Sequence, residues 1–463
     1  MTDLSGSDPT PGAPSQRPTG DVYPRMPFAG VLLVVAYGVL LCSPLIVAGL
    51  IRPRTQESLL WELGKSSALV GAVVLVLQFV LSARLRGITR HFGLDAVLRF
   101  HRGMAIFAVV LIALHPVLLA FGGGGWSLLT SVRMPWYIWL GKVALLLLVI
   151  QVLVALLRRT VRLSFETWRG LHSQALAILA LVLLHSWAAG SDLRHRPMQV
   201  LWLGLFAAAA ASYVYHKVYV PWRGRRRTYR VAEVHRETHD VWSLSLEPPE
   251  GTRRYTFLPG QFHFVSLYRG DRYDGEEHPF TISSSPSEHD LLRSTVKASG
   301  DFTRTVSNTN PGDRVRVQGP FGRFSHLLHS DETDLVFIAG GIGITPYVSM
   351  LRHMRDTQSD LWVLLLYGNR TQKDIVFREE MEAMARLSTP RLEVVHVLSN
   401  ANPAWVGERG YIDRECILRH CGEEISQKAF YVCGPPPMMD MVSRALRSLG
   451  APAARLHTER FSL

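Results

Sequence analysis

The sequence predicts three folded units in one chain: a membrane bundle of six helices, an antiparallel β-barrel and an α/β nucleotide-binding domain. Three observations lead to this fold class. Apolar stretches long enough to cross a bilayer fill the N-terminal half, short β-branched and aromatic runs begin near residue 226, and strands alternate with helices after about residue 330. At 463 residues, the chain has room for about three domains.

The two halves of the chain differ in net charge. Up to residue 230 there are 24 Lys and Arg against 8 Asp and Glu, and after it 26 against 30, so the net charges are +16 and −4. An apolar and basic N-terminal half is typical of a bilayer protein with charged cytoplasmic loops, and no basic-aromatic motif indicates nucleic-acid binding. The four cysteines show no C-x-x-C spacing, which argues against a disulfide framework, an iron-sulfur cluster or a Cys-ligated zinc.

The N-terminal half begins with a polar tail. Residues 1–25 are rich in Pro, Gly, Ser and Thr and are expected to be disordered. Residues 26–222 then form the predicted six-helix domain. Its apolar stretches are 28–51, 58–83, 98–121, 135–157, 169–189 and 198–220, each close to the roughly 20 residues that span a bilayer.

Basic residues predict the orientation of the bundle in a plasma (inner) membrane. Arginine-rich connections follow the second, fourth and sixth stretches, whereas the loop after the third has only Arg133. By the positive-inside rule, both termini lie in the cytoplasm. The glycine tract at 122–126 is then expected to be a flexible external loop.

Four histidines occupy two of the predicted helices. His101 and His115 are 14 residues apart on the third, and His172 and His185 are 13 apart on the fifth, or about 21 and 20 Å along a helix. Both helices enter from the cytoplasm, so the pairs define an inner and an outer level. A lone buried histidine is usually a core residue, but two pairs at matched depths are what bis-imidazole ligation of two haems requires. The absence of C-x-x-C-H predicts noncovalent b-type haem.

The spacing on the fifth helix carries a further expectation. At about 100° per residue, 14 residues return to nearly the same face, but 13 residues end about 140° short of four turns. We therefore expect a tilt, a bend or a local irregularity between His172 and His185.

The segment 226–328 is predicted to be a six-stranded barrel. Candidate strands are 228–237, 241–247, 261–268, 278–283, 291–297 and 314–318. The fourth strand reads H-P-F-T-I-S-S, in which an aromatic ring and hydroxyls can stack on a flavin and bond its polar edge, although an ordinary strand entry would look similar. The candidate contacts are His278, Pro279, Phe280, Thr281 and Ser283.

A second barrel motif, G-D-F-T, follows Val296 and Lys297. The glycine Gly300, free amides and the hydroxyl of Thr303 open a helical turn that could hold a pyrophosphate, and Lys297 or Arg304 can supply charge. The alternative is an ordinary N-cap box.

The segment 329–463 is predicted to be the α/β domain. The apolar run 335–339 leads into a glycine-rich turn and a helix, where backbone amides can approach a phosphate. The candidate residues there are Gly340, Gly341, Gly343, Thr345 as helix cap and Pro346. Two later strands end in Gly368-Asn369-Arg370 and in Cys433-Gly434-Pro435.

The membrane half resembles the ferric reductase-like transmembrane family, which includes NADPH oxidases and metalloreductases, over about residues 28–220. In that family six helices hold two haems through histidine pairs on the third and fifth helices. In the soluble half P-G-Q-F, H-P-F-T-I-S-S, G-D-F-T and G-P-F-G follow in order. They are similar to the FAD domain of the ferredoxin-NADP reductase superfamily in its NADPH oxidase version, with His278 and Phe280 where most soluble members have Arg and Tyr.

The series A-G-G-I-G-I-T-P, Y-G-N-R and C-G-P-P-P-M is similar to the nicotinamide domain of the same superfamily. The resemblance implies that Cys433 lies beside the nicotinamide C4 and that Arg370 contacts the adenosine end. It also implies that Phe461, third from the end instead of last, covers the flavin. For Cys433 the alternative is a buried small hydrophobe.

Together these features predict an oxidoreductase that passes electrons from cytoplasmic NADPH or NADH through FAD and two haems to an external acceptor, oxygen or a ferric chelate. A second enzyme hypothesis is an electron conduit to a periplasmic or quinone partner. A third is a transporter or sensor with a nucleotide-binding regulatory module, in which the histidines relay protons.

Overall fold

In a computed structural model of the chain, the described residues are 27–52, 57–158, 160–161, 163, 165–225, 228–269, 272–273 and 277–460. The expected tail 1–25 and Phe461 lie outside them. The helices of the N-terminal half are α1 Pro27–Ile51, α2 Leu59–Ser82, α3 Arg86–Phe92, α4 Leu94–Leu119, α5 Ser127–Thr130, α6 Trp136–Leu157, α7 Phe165–His172, α8 Ala175–Ala189, α9 Arg196–Val214 and α10 Val220–Arg225.

Six helical segments in this part are long and apolar enough to cross a membrane, which confirms the predicted bundle. Helix α2 is its central helix: Leu69, Val73 and Val76 are buried against the other helices. Gly71 lets α4 approach closely, since a Cβ there would lie 2.7 Å from a side-chain atom of Ile112.

The expected irregularity in the fifth span is confirmed. Helix α7 ends at His172, Ser173 and Gln174 form a turn, and α8 begins at Ala175. The break resets the helical phase between His172 and His185, which a continuous helix of 13 residues could not do.

The expectation of a loop at 122–126 is met only at its end. Residues 120–124 continue α4 as a π-helical segment kinked at Gly123 (φ +123°), residues 125–126 are not helical, and the hydroxyl of Ser58 donates to the carbonyl of Gly122 at 2.7 Å. A Cβ at Gly122 would lie 2.6 Å from the backbone nitrogen of Trp61. Glycine is therefore required here for close packing on the start of α2.

The next unit is a curled antiparallel sheet of seven strands. These are β1 Tyr229–Arg236, β2 Val241–Glu247, β3 Phe262–Arg269, β4 Arg272–Tyr273, β5 His278–Thr281, β6 Leu292–Lys297 and β7 Arg314–Phe321, with a short helix α11 Asp301–Arg304. The six predicted strands follow the order β5-β3-β7-β1-β2-β6, and a bridge between Ile282 and Ser294 joins the ends into a barrel. The two-residue β4, which was not predicted, extends one edge of β3.

The last unit is a parallel sheet in the order β11-β10-β9-β8-β12-β13. Its elements are β8 Asp334–Gly340, α12 Thr345–Asp356, β9 Trp362–Asn369, α13 Arg378–Met384, β10 Arg391–Leu398, β11 Glu408–Arg409, α14 Arg414–Cys421, β12 Ala429–Cys433, α15 Pro436–Ser448 and β13 Leu456–Glu459. Alternate residues of β8 face two cores: Phe337 packs with Tyr347 of α12, and Ile338 lies in the cluster of Met439 of α15. The sheet is thus covered by helices on both faces, as parallel sheets require.

Candidate functional site

The inner histidines meet in the bundle. The ring centroids of His101 and His172 are 6.2 Å apart, and their planes are inclined by 73°. A metal–imidazole bond is about 2 Å and a ring nitrogen lies about 1 Å from its ring centre, so two imidazoles on opposite sides of one iron have centroids about 6 Å apart. The pair therefore fits bis-histidine ligation. Nδ1 of His101 is buried without a hydrogen-bond partner among the described residues. The Gln151 side-chain amide donates to Nδ1 (3.0 Å) and to the carbonyl (3.1 Å) of His172, so this Nδ1 is an acceptor.

The outer histidines are each fixed by a backbone carbonyl. Nδ1 of His115 donates to Gly64 at 2.9 Å, and Nδ1 of His185 donates to Tyr137 at 2.7 Å. A carbonyl only accepts, so Nδ1 carries the proton and Nε2 keeps a lone pair for a metal. Gly64 and Tyr137 both lie near the starts of their helices, at the end of the bundle opposite the inner pair. A Cβ at Gly141 would lie 2.7 Å from the His185 ring, so this glycine makes room for the imidazole.

The barrel is joined to the bundle by a buried ion cluster, which the sequence did not indicate. Arg84, between α2 and α3, bonds Glu277 at 2.7 Å, and Arg316 of β7 lies 3.5 Å from the same carboxylate. Burial opposes ionisation of Glu277, but the two arginines outweigh it and lower the pKa of the carboxyl. Nearby, Leu94 packs with the barrel phenylalanines, of which Phe264 is one. Because Leu94 is seven residues from His101, the barrel docks about 10 Å along α4 from the inner pair.

The H-P-F-T segment forms β5 beside this contact. The rings of His278 and Phe302 stack at 3.8 Å, and Phe280 lies 6.4 Å from His278 on the same side of the strand. Thr281 is buried and Pro279 is half-buried. The Ser283 hydroxyl faces the barrel interior, where it donates to the carbonyl of Arg293 at 3.1 Å.

The G-D-F-T segment forms half of an N-cap box, since Gly300 has no side chain to cap the turn. Oγ1 of Thr303 accepts hydrogen bonds from the backbone amides of Ser299 (3.0 Å) and Gly300 (2.8 Å). The amide of Gly300 is therefore paired within the turn, and the pyrophosphate contact of this motif stays a prediction. Lys297 is paired with Asp240 at 3.2 Å.

The glycine-rich turn lies where the order of the parallel sheet reverses. From β8 the chain moves to β9 on one side and later to β12 on the other, and such a switch point at the carboxyl ends is where open α/β sheets bind ligands. Gly341 has a φ of +52°, and a Cβ at Gly343 would lie 2.4 Å from the carbonyl oxygen of Cys433. The predicted cap at Thr345 is wrong: Ile344 is the N-cap residue, and the Thr345 hydroxyl donates back to the Ile342 carbonyl at 3.1 Å.

The turn after β8 and the turn after β12 approach each other closely at Gly340, Gly434 and Pro435, which are further predicted site residues. A Cβ at Gly340 would lie 2.8 Å from Pro435, and one at Gly434 would lie 3.0 Å from the nitrogen of Gly340. Pro346 stands in the first turn of α12, where a missing N–H costs nothing.

Cys433 is buried at the end of β12 and pairs in register with Glu459 of β13. Burial raises the pKa of the Cys433 thiol well above its usual range, and Glu459 adds to this, so the thiol is neutral. The pKa of Glu459 is raised to about 8, chiefly by burial and also by Asp95 at the start of α4, while Arg99 opposes the increase. The sequence analysis assigned Glu459 no role.

Arg370 follows β9 and lines a cavity of about 700 Å³. The other lining residues are His239, Thr371, Lys373, Asp374 and Asn400. His239 comes from the β1–β2 turn of the barrel, so both soluble units contribute to the cavity.

The nucleotide-binding sheet is tied to the flavin motif through α12. Ser349 donates to the carbonyl of Ser284 at 2.8 Å, and Arg352 donates to that of Ser283 at 2.7 Å. Arg352 is itself held by both carboxylate oxygens of Glu380. The helix that follows the glycine-rich turn is therefore fixed against the end of the H-P-F-T-I-S-S segment.

Comparisons with known proteins agree with this three-part architecture. Residues 67–184 match the family described as ferric reductase like transmembrane component, 226–324 match an FAD-binding domain, and 337–444 match an oxidoreductase NAD-binding domain. The chain is 32% identical over 249 residues to the ferredoxin reductase component of 3-ketosteroid-9-alpha-monooxygenase from Rhodococcus rhodochrous, which covers 53% of this chain and 68% of that protein. The soluble half belongs to a family of FAD- and NAD-binding reductases, and it is fused to a ferric reductase-like transmembrane domain. This ferric reductase-like protein therefore combines six helices long and apolar enough to cross a membrane with a module typical of FAD- and NAD-dependent reductases.

Other relatives match the soluble half. The glycine betaine monooxygenase reductase subunit of Pseudomonas aeruginosa is 30% identical over 246 residues, covering 52% of this chain and 65% of the relative, so the chain spans just under two thirds of that protein. Among solved structures, the cytochrome b5 reductase domain of Ulva prolifera nitrate reductase matches 51% of this chain and 98% of that domain, with 22% identity and a TM-score of 0.46. The FAD/NAD-binding domain of nitric oxide dioxygenase from Vibrio cholerae matches 50% and 98%, with 25% identity and a TM-score of 0.45.

Proposed function

We propose that this ferric reductase-like protein carries electrons from cytoplasmic NAD(P)H across the plasma membrane to an external acceptor, either oxygen, giving superoxide, or a ferric chelate. When bound, the nicotinamide supplies a hydride, FAD converts an electron pair into single electrons, and haem iron carries one electron at a time. The observation that carries the proposal is the inner histidine pair, whose 6.2 Å separation would let both imidazoles hold one iron.

The outer pair supports a second haem. His115 and His185 present Nε2 lone pairs because backbone carbonyls hold their Nδ1 protons. A buried proton relay would instead need histidines whose two nitrogens exchange protons with mobile partners, so these fixed tautomers favour ligation over the transporter hypothesis.

The soluble residues have roles in binding and positioning. The stacked His278, Phe280 and Phe302 side chains offer an aromatic surface for the flavin, and Thr281 lies at its buried end. The turns at 340–346 and 433–435 would hold the nicotinamide half, with the neutral Cys433 thiol beside it, and Arg370 would hold the adenosine half.

The arrangement of the units supports the direction of transfer. The barrel docks on α3 and the start of α4, on the side of the bundle that holds the inner pair. The same side carries the arginine-rich connections, which by the positive-inside rule is the cytoplasm. Electrons would therefore enter at His101 and His172 and leave at the level of His115 and His185.

The test is an anaerobic stopped-flow experiment on the full chain in detergent. NADPH or NADH should first bleach the flavin absorbance and then reduce a low-spin b-type haem, and His172→Ala should keep the flavin phase and lose the haem phase. His91→Ala, which removes a half-buried histidine of α3, is the matched control and should behave as wild type. Purified protein that contains flavin but no haem would contradict the proposal and favour a sensor or transporter.

A further inference from the structure

Three metal-ligating side chains meet outside the sites described above. His329 and Glu332 lie in the segment 322–333, which leaves the barrel after β7, and His457 lies on β13. One ligand atom from each lies within 4.8 Å of the other two, the one such group among the described residues. Two imidazoles and a carboxylate are a donor set that zinc and neighbouring divalent transition metals bind.

We propose that His329, Glu332 and His457 bind a zinc-class divalent ion, with water in the fourth position. Zinc bonds to nitrogen and oxygen are about 2.0 to 2.2 Å long, so tetrahedral ligand atoms lie about 3.4 Å apart. The ligand atoms therefore need side-chain movements of no more than about 1.5 Å to reach bonding distance.

The carboxylate is already oriented by a second residue. The Tyr431 hydroxyl donates to Oε2 of Glu332 at 2.7 Å, and Oε1 accepts from Nε2 of His457 at 2.8 Å. Metal-ligating carboxylates are commonly held by such an outer hydrogen bond. An ion would replace the Glu332–His457 hydrogen bond with a bond to each residue, while the Tyr431 hydrogen bond remains.

The cluster is largely shielded from water and still accessible. The side chains of Glu332 and His457 are 3% and 15% exposed. The half-buried His329 leaves a route from solvent.

A metal bound at this site would connect two separate segments of the chain. His457 and Glu459 lie on the same side of β13, two residues apart. A bound ion would therefore tie the 322–333 segment to the strand that pairs with Cys433. Metal binding itself is independent of the proposed electron path.

The experiment measures zinc bound to the full chain in detergent by equilibrium dialysis at fixed free Zn²⁺, followed by elemental analysis. Wild type should bind one more zinc per chain than His329→Ala, because the substitution lowers the affinity of this site for zinc at least tenfold. His420→Ala is the matched control, because His420 contacts a glutamate, Glu408, at 3.0 Å but is in no group of three metal-ligating side chains among the described residues. It should bind as much zinc as wild type, and equal zinc on wild type and His329→Ala would overturn the proposal.

Two further variants distinguish loss of the metal site from misfolding of the variant protein. Tyr431→Phe keeps all three ligands and should bind zinc about 10- to 100-fold more weakly, through loss of the outer hydrogen bond. Zinc should raise the melting temperature of wild type but not that of Glu332→Gln. No zinc-dependent shift in wild type would overturn the proposal whatever the variants do.

Discussion

Glu459 makes the stability of this protein depend on pH in an unusual direction. Its carboxyl has a pKa of about 8 against an ordinary 4.5, chiefly because it is buried. Below about pH 4.5 the group is protonated in both the folded and the unfolded chain. Between 4.5 and 8 only the unfolded chain ionises, so the stability present at low pH is progressively lost as the pH rises.

The magnitude follows from the two pKa values. Each pKa unit corresponds to 1.36 kcal/mol, so the whole interval amounts to roughly 5 kcal/mol, an upper value for the free energy that Glu459 removes above pH 8. Glu459→Gln lacks the titration and keeps the shape. The melting temperature of wild type relative to this variant should therefore fall from pH 5 to about 8 and then level off.

The assay is thermal melting of the full chain in detergent across this pH range, with Glu408→Gln as the control. Burial opposes ionisation of Glu408, but hydrogen bonds from His420 and Arg419 outweigh it and lower the pKa of the carboxyl. Its contribution to stability is therefore present at neutral pH and is lost as the pH falls, the opposite sign. A constant difference between wild type and Glu459→Gln would refute the account of Glu459.

The remaining predictions concern single side chains. His115→Ala should lower haem per FAD to roughly half of wild type, measured by pyridine haemochrome and flavin absorbance, and an unchanged ratio would exclude His115 as a ligand. Cys433→Ala should slow flavin reduction by NADPH in stopped flow, whereas early melting with normal flavin reduction would make Cys433 a packing residue. Thr303→Val should cost about 0.5 to 2 kcal/mol of stability in denaturant titration through loss of the cap, and no loss would contradict that role. Glu277→Gln leaves Arg84 buried and unpaired and should cost about 3 to 5 kcal/mol, and melting that matches wild type would show that the cluster does not hold the barrel.

The membrane bundle and the two soluble folds could be predicted because their signals are local. Hydropathy predicts the spans, and the 13-residue spacing of His172 and His185 predicts a tilt, bend or irregularity in the fifth helix, which is the break seen after His172. The prediction of a loop at the start of the glycine tract failed because the conformation there depends on contacts with a neighbouring helix. Local propensity describes Gly122 as a loop residue, whereas its contact with Trp61 depends on a neighbouring helix.

The junctions between units could not be predicted. Arg84 and Glu277 are 193 residues apart, and no spacing rule pairs a loop arginine with a glutamate before a barrel strand. Likewise, the burial of Glu459 depends on the bundle, the barrel and the parallel sheet meeting at one place. For Thr303 the sequence allowed both a phosphate contact and a cap, and the folded turn shows the cap.

Transfer across the membrane is the central claim, and sealed vesicles test it most directly. The protein is reconstituted without oxygen, with a membrane-impermeant ferric chelate or cytochrome c trapped inside and NADPH added outside. The account predicts reduction of the trapped acceptor by the molecules whose soluble units face outward, and its loss in His185→Ala while the flavin is still reduced. Oxidation of NADPH with no reduction of the trapped acceptor in wild type, or equal reduction in His185→Ala, would contradict it.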